Sequence, residues 1–374
     1  MAGVAGVAGV AGVAGVAAAN ATELIAIVIT ATTRDFFKID IMGSPQGLTK
    51  MTGNRYHNAM NVPCEALLYK KCPVFSVAPM IDWTDRHCRF FMRLLTKRAF
   101  LYTEMITTGA ILRGDAHRHL DFNPCENLLG LQLGGSNPMD LAACAKRGED
   151  WGYDEINLNL GCPSDKVQKG KFGACLMREP DLVAECIFAM KSAVSIPVTI
   201  KTRIGVDEHD HYDLLRDFIK KIACAGCDYF IIHARKALLK GLSPKENREI
   251  PPLRYEVVQK LKADFPGYSF VLNGGIKNLD SAKNLLDNFD GVMLGRTIMS
   301  EPYLLAEIDS LFYGEPAVSI SRENALECYL AYMKEQRKKN IPLSILARPI
   351  MGLYQGCTGA KAWRRDLLPF LQTV

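Results

Sequence analysis

The stretch PVTIKTRIGVDEHDHYDLLRDFIKKIACAGCDYFIIHARK (197–236) reads as one complete strand–helix–strand unit. Pro197–Thr202 and Tyr229–His233 are short β-rich runs of strand length. Asp213–Ala225 between them carries apolar residues at helical spacing and stops before Gly226, a residue suited to a helix end. Two strands joined through a helix run parallel. The same alternation recurs on both sides of this unit. Further strands are expected at Val74–Ala78, Phe100–Thr103, Leu128–Leu133, Glu155–Leu160, Ser269–Asn273 and Gly291–Leu294. Further helices are expected at Asp140–Arg147, Asp181–Ala193, Tyr255–Ala263 and Ser281–Asn288. Thr84-Asp85, Ser136-Asn137-Pro138, Glu179-Pro180 and Asn278 are helix-start signals, and Gly152 and Gly267 are further helix stops. Eight such units over about 240 residues predict an α/β fold, a (β/α)8 TIM barrel spanning 71–316. An open doubly wound sheet would favour Gly-x-Gly-x-x-Gly after the first strand, and that motif is absent there. From about Ser319 the strand pattern ceases. Segments Arg322–Lys339, Ser344–Tyr354 and Ala360–Leu371 predict a small C-terminal helical domain, 317–374.

The composition suits this architecture. Of 374 residues, 48% are hydrophobic and 23% charged, which excludes a collagen-like or wholly disordered chain. After residue 35 no apolar run is long enough for a membrane span, so no membrane partner is expected. The net charge is +5, and residues 317–374 hold nine Lys/Arg against four acids, so this segment formally carries the whole excess. Such a surface suits a polyanion, and equally a solvated helical face. The 12 cysteines follow no repeated spacing, which argues against a secreted disulfide framework. Cys224 and Cys227 form a lone C-x-x-C without the second ligand pair a zinc site wants, so small helix-packing residues are the favoured reading. Residues 2–16 repeat Ala-Gly-Val five times, and residues 1–70 read as a low-complexity extension or an organellar targeting leader. Cytoplasmic and organellar locations both stay open. No obligate protein partner is evident.

In a barrel, function gathers at the C-terminal ends of the strands. Gly274-Gly275 and Gly295 expose backbone N–H groups after the last two strands and Arg296 adds charge, a pattern that favours a phosphorylated ligand. The alternative is that these glycines serve tight turns. Gln132, Lys201 and His233 end three other strands, and together they suit the polar edge of a flavin, with the lysine stabilising the reduced ring. Cys162 follows a strand end, with Pro163 fixing the turn behind it, so its thiol is a candidate nucleophile or proton donor. Cys175 is a weaker candidate for that role, and inert packing is open for both.

FSVAPMIDWTDRHCRFF (75–91), EINLNLGCPSDKVQKGKFGACLM (155–177), VTIKTRIGVD (198–207), FIIHARKALLKGLSPKENREIPPL (230–253), NGGI (273–276) and DGVMLGR (290–296) resemble the tRNA-dihydrouridine synthases, and among them the class acting on uridines 20 and 20a. The resemblance covers about residues 72–366. It implies a barrel holding FMN reduced by NADPH, a helical tRNA-binding domain, hydride transfer to C6 of the uracil, and protonation of C5 by a cysteine, here Cys162. Flavin contacts are implied at Pro79, Met80, Ile81, Gln132, Lys201, His233, Asn273, Gly274, Gly275, Gly295 and Arg296. Asn159 and Arg235 are implied at the flipped uridine, and Arg348, Lys361, Arg364 and Arg365 at the tRNA backbone. Pro349 departs from the family, which commonly carries a histidine there. Two other readings compete: an FMN barrel acting on a free pyrimidine, similar to dihydroorotate dehydrogenase, and a non-catalytic RNA-binding protein that has kept a barrel.

Overall fold

The computed structural model describes residues 72–316 and 320–372, so the expected leader, 1–70, lies outside the described residues. The strands are β1 (Phe75–Val77), β2 (Leu101–Tyr102), β3 (Ile106–Thr107), β4 (Leu129–Gly134), β5 (Glu155–Leu160), β6 (Val198–Arg203), β7 (Tyr229–His233), β8 (Ser269–Asn273) and β9 (Gly291–Leu294). They pair in parallel in the order β1-β9-β8-β7-β6-β5-β4-β2, with the two-residue β3 as a side branch on β4. Backbone bonds from Val77 N to Phe100 O (2.9 Å) and from Phe100 N to Phe75 O (3.0 Å) join β1 to the start of β2 and close the ring. The fold is the expected (β/α)8 barrel.

The helices start and stop for local reasons. Those that follow barrel strands include α1 (Arg86–Leu95), α2 (Pro138–Trp151), α3 (Pro180–Ala193), α4 (Tyr212–Cys224), α5 (Tyr255–Asp264) and α6 (Leu279–Leu285). Asp85 accepts from Cys88 N at 2.8 Å, Asn137 from Asp140 N at 3.0 Å and Asn278 from Ser281 N at 2.8 Å, each satisfying an orphan first-turn donor. Gly152 and Gly226 turn the chain at φ +99° and +101°. Gly267 does not act this way: α5 already ends at Asp264, and the capping Phe265 N–H bonds to the Leu261 carbonyl. Cys224 is exposed at the end of α4, whereas Cys227 is buried and its thiol is pushed up by that burial. Among the described residues no group of His, Cys, Asp or Glu could hold a metal.

Alternation along each strand divides the interior. Outward residues such as Leu131, Leu158, Ile200, Phe230 and Leu272 are fully buried beneath the helices. Inward residues form layers. In the lowest, Tyr102 and Tyr229 meet Glu155, and the same two tyrosines share an apolar cluster with Phe100, Val271 and Met293. Above it lie Gln132, Asn157 and Thr199, and above those Lys201, His233 and Asn273 at the mouth. Eight strands leave an interior just wide enough for side chains to fill.

Beyond Ile320 the described residues form helices joined by turns: α7 (Arg322–Lys338), α8 (Leu343–Ala347) and α9 (Ala360–Leu371). The middle segment is shorter than the expected Ser344–Tyr354. It passes into a single turn at Arg348–Ile350, because Pro349 lacks the N–H that would continue an α-helix. Tyr329 and Tyr332 of α7 pack on Phe90 and Phe91 of α1, with Phe90 stacked on Tyr332 at 3.9 Å between centroids. Leu346, Trp363 and Leu367 continue the same apolar core as the barrel's outer layer. None of the described helices is long and apolar enough to cross a membrane.

Candidate active site

The mouth is built where β5, β6, β7 and β8 end. At the end of β5, Asn159 turns its carboxamide onto its own loop. Its Oδ1 accepts from Gly161 N (3.1 Å) and Cys162 N (3.0 Å), and its Nδ2 donates to Gln132 Oε1 (2.8 Å). Arg203 Nε holds the Gly161 carbonyl at 2.9 Å, and Ala174 N donates to the Cys162 carbonyl at 3.0 Å. Gly173 permits that second contact, since a Cβ there would lie 2.6 Å from the Cys162 carbonyl oxygen. The half-buried Cys162 is thus held on a fixed turn, its Sγ 3.6 Å from Ser164 Oγ. Cys175 lies further along the loop with Sγ 3.1 Å from the Phe172 carbonyl, and burial raises its pKa.

Lys201 donates to Asn273 Oδ1 at 2.9 Å, and Asn273 Nδ2 donates to Met293 O at 2.8 Å. Burial, reinforced by the charge of Arg203, lowers the Lys201 ammonium to about 7. His233 is 8% exposed, and burial together with Arg203 and Lys201 holds it well below the usual imidazole range, so it is neutral. Gly274 stands directly over it at φ +112°, and a Cβ there would approach the ring to 2.4 Å. Gly275 follows at φ +73°, with Leu253 filling the space a side chain would need. Only glycine meets both demands at these two positions.

Several other expected residues have their polar groups in use. Gln132, only 1% exposed, lies one layer below the mouth and spends its amide on Asn157 and Asn159. Arg235 donates to the carbonyls of Glu249 and Pro251. Arg296 pairs with Glu249 at 2.6 Å and donates to the Arg248 carbonyl. Gly295, just before Arg296, sits against Ala78 and Met80 at the end of the neighbouring β1, beside Pro79 and the 53%-exposed Ile81. Arg348 reaches the same loop, donating to the Asp82 carbonyl, so the C-terminal helices touch the mouth directly. Arg364 donates to Gln355, Arg365 pairs with Asp366 at 2.6 Å, and Lys361 is exposed on the first turn of α9.

Sequence reasoning left Arg203 and Arg248 without roles. Arg203 lies two residues from Lys201, hence on the same face of β6, and this period was the available signal. It donates to the carbonyls of Gly161, Lys236 and Asn247. Arg248 carries no such signal, because a tertiary clip brings it in. The buried Asn247 accepts from Leu238 N and donates to the carbonyls of Leu238 and Leu242, folding the loop after β7 over the mouth. Lys201, Arg203 and Arg248 all feel the Cys162 sulfur electrostatically.

Fold and mouth together define a barrel enzyme whose thiol stands among cations beside bare glycine backbone. The family model for dihydrouridine synthase matches residues 76–370, and this chain belongs to that family. Relatives from Shewanella oneidensis and Pseudomonas putida, each named tRNA-dihydrouridine(20/20a) synthase, are 55% identical over 293 residues, covering 78% of this chain and 87% of theirs. A relative of the same name from Vibrio parahaemolyticus is 54% identical over 78% of this chain and 90% of its own. Among solved structures, a 2-naphthoyl-CoA reductase complex is similar at a TM-score of 0.49 and 11% identity, over 63% of this chain and 49% of that one. That likeness bears on neither cofactor nor substrate.

Proposed function

We propose that this protein reduces uridines 20 and 20a of tRNA to 5,6-dihydrouridine, with FMN as cofactor and NADPH as reductant. The observation that carries the reading is the meeting of Cys162, Lys201, neutral His233 and the Gly274-Gly275 backbone at one mouth, in a chain 55% identical to relatives of that name. The residues fit a flavin mononucleotide. Lys201 and His233 offer a cation and a neutral imidazole, and Gly274, Gly275 and Gly295 leave backbone bare for a phosphate-bearing group. When bound, the flavin would supply the hydride for C6 of the uracil. Cys162 holds the proton for C5 at its Sγ. Lys201, Arg203 and Arg248 are the cations in electrostatic reach of that sulfur. The Asn159 clamp, Arg203 and the Gly173 contact hold the backbone turn that carries the sulfur. Residues 317–374 form the tRNA-gripping part, with Lys361, Arg364, Arg365 and Arg348 meeting backbone phosphates beside the mouth.

One experiment tests the whole reading. Purified protein is loaded with FMN, reduced anaerobically with NADPH, and mixed with unmodified tRNA or with free uridine while flavin absorbance is followed. Reoxidation by tRNA, with dihydrouridine found at position 20 or 20a by nuclease mapping, supports it. Reoxidation by the free pyrimidine alone would move the protein to a small-molecule barrel oxidoreductase, and failure to take up FMN would remove the cofactor.

A further inference from the structure

Glu155 opens β5 at the bottom of the barrel, 2% exposed and remote from solvent. A carboxylate so placed is costly unless every oxygen is bonded. Three hydroxyls meet it: Tyr102 Oη at 3.0 Å, Thr199 Oγ1 and Tyr229 Oη. The contact that matters is Thr199, because it is the last link of a chain leading upward. Asn157 Nδ2 donates to Thr199 Oγ1 (2.8 Å), Gln132 Nε2 to Asn157 Oδ1 (2.8 Å), and Asn159 Nδ2 to Gln132 Oε1 (2.8 Å). The backbone N–H groups of Gly161 and Cys162 then donate to Asn159 Oδ1. Every donor in the chain points toward Glu155. An ionised carboxylate is acceptor-only, so Thr199 must donate to it, and the lower end of the chain then takes the same direction that the Gly161 and Cys162 N–H groups impose from above.

We propose that Glu155 is a positioning residue for Cys162: its carboxylate orients a one-directional hydrogen-bond chain, through Thr199, Asn157, Gln132 and Asn159, that fixes the turn carrying the thiol. The role rests on the proposed proton transfer from Cys162. Burial pushes the Glu155 carboxyl up to about 7, against the lowering bonds from Thr199, Tyr229 and Tyr102, and Asp228 pushes it the same way as burial. The other titratable groups in its field, Tyr102, Tyr229, Cys72 and Cys227, are all held above their ordinary values by burial and so keep their protons through neutral pH. The carboxylate is therefore the group facing this layer that changes charge near neutrality. Above about pH 7 the chain has its single direction, and below it a protonated carboxyl lets Thr199 reverse.

The test compares Glu155→Gln, Thr199→Val and Thr199→Ser with wild type. Two readouts are used: single-turnover reduction of tRNA by the prereduced enzyme, and peptide-resolved iodoacetamide alkylation of Cys162 in tRNA-free protein. Glu155→Gln and Thr199→Val are expected to slow tRNA reduction about tenfold or more with tRNA KM unchanged, the scale of a misplaced reacting group. Both are expected to shift the Cys162 alkylation rate, while Thr199→Ser, which keeps the hydroxyl, stays near wild type. The wild-type rate should rise with pH through about 7, and Glu155→Gln should lose that limb. Lys201 titrates in the same range but is retained in the variant, so the difference between profiles belongs to Glu155. A carboxyl whose folded pKa is raised contributes stability that is complete at low pH and lost as pH rises through the folded value. Glu155→Gln should therefore melt no lower than wild type at pH 8 while reacting more slowly, a combination a merely structural residue would not give. If Glu155→Gln does not fold, the Val/Ser pair at position 199 decides. Wild-type rates in Glu155→Gln, or identical behaviour of Val and Ser, overturn the proposal. If wild type reduces no tRNA but the alkylation pattern holds, the positioning role stands and the functional reading falls.

Discussion

The floor and the mouth of this barrel are both polar, and they solve opposite problems. On the floor, one carboxyl is enclosed by three hydroxyls, and Asn157 and Gln132 above it are bonded side chain to side chain. At the mouth, Lys201, Arg203, Arg235, Arg248 and Arg296 crowd together, and each feels at least one of the others electrostatically. Glu249 supplies one carboxylate, already paired with Arg296. A closed polar layer specifies one packing and accepts no ligand, whereas an excess of cations held partly out of water favours an anion from outside.

The largest effect that could break this contrast is at the thiol. Cys162→Ala should abolish tRNA reduction, a loss of at least about 10²-fold, the usual scale for removing a general acid, while FMN stays bound. Dihydrouridine content by mass spectrometry and flavin absorbance of the same sample read both halves. Next is Gly274→Ala. A side chain at φ +112° costs about 1–3 kcal/mol of strain and collides with the His233 ring. FMN affinity, measured by fluorescence titration of apoprotein, should fall about tenfold or more.

Lys201→Met sharpens the comparison by sign. A base whose folded pKa is depressed has its full stabilising contribution above the unfolded value, and loses it as pH falls through the folded value. For Lys201 that window runs from the ordinary 10.5 down to about 7. Thermal unfolding of flavin-free protein should find the Met variant gaining most on wild type near pH 6, with the gap closing toward pH 10, although its turnover drops about tenfold or more. A gap independent of pH would show that the amine is not buried as a charge. The smallest effect is on the helical segment. Lys361→Ala should reduce the slope of log tRNA affinity against log salt by about one. Arg365→Ala should change it less, since Arg365 is already engaged by Asp366 at 2.6 and 2.7 Å. Equal slopes for both would remove the distinction between a free and a paired cation.

What the sequence determined by itself was local and periodic. Alternating apolar runs placed Glu155–Leu160, Tyr229–His233, Ser269–Asn273 and Gly291–Leu294 on their observed bounds, and Asp85, Asn137 and Asn278 capped their helices as read. Strand pattern and caps act over a few residues, so they are written in a few residues. Strand ends then located the mouth, and with it Lys201, His233, Asn273 and Cys162. Pro349 cut α8 shorter than the pattern suggested because a missing N–H outweighs favourable spacing. Tertiary structure alone decided which side chains are spent and which are available. Closing the barrel joins the Gln132 and Asn159 carboxamides to one another and to the Cys162 turn. Arg248 entered the mouth only because Asn247 folds its loop there. Glu155 acquires its link to Cys162 through Thr199, 44 residues away in the chain. The Gln132–Asn159 and Glu155–Thr199 bonds join neighbouring strands and the Asn247 bonds pin a loop, and none of these contacts has a period for a sequence to display.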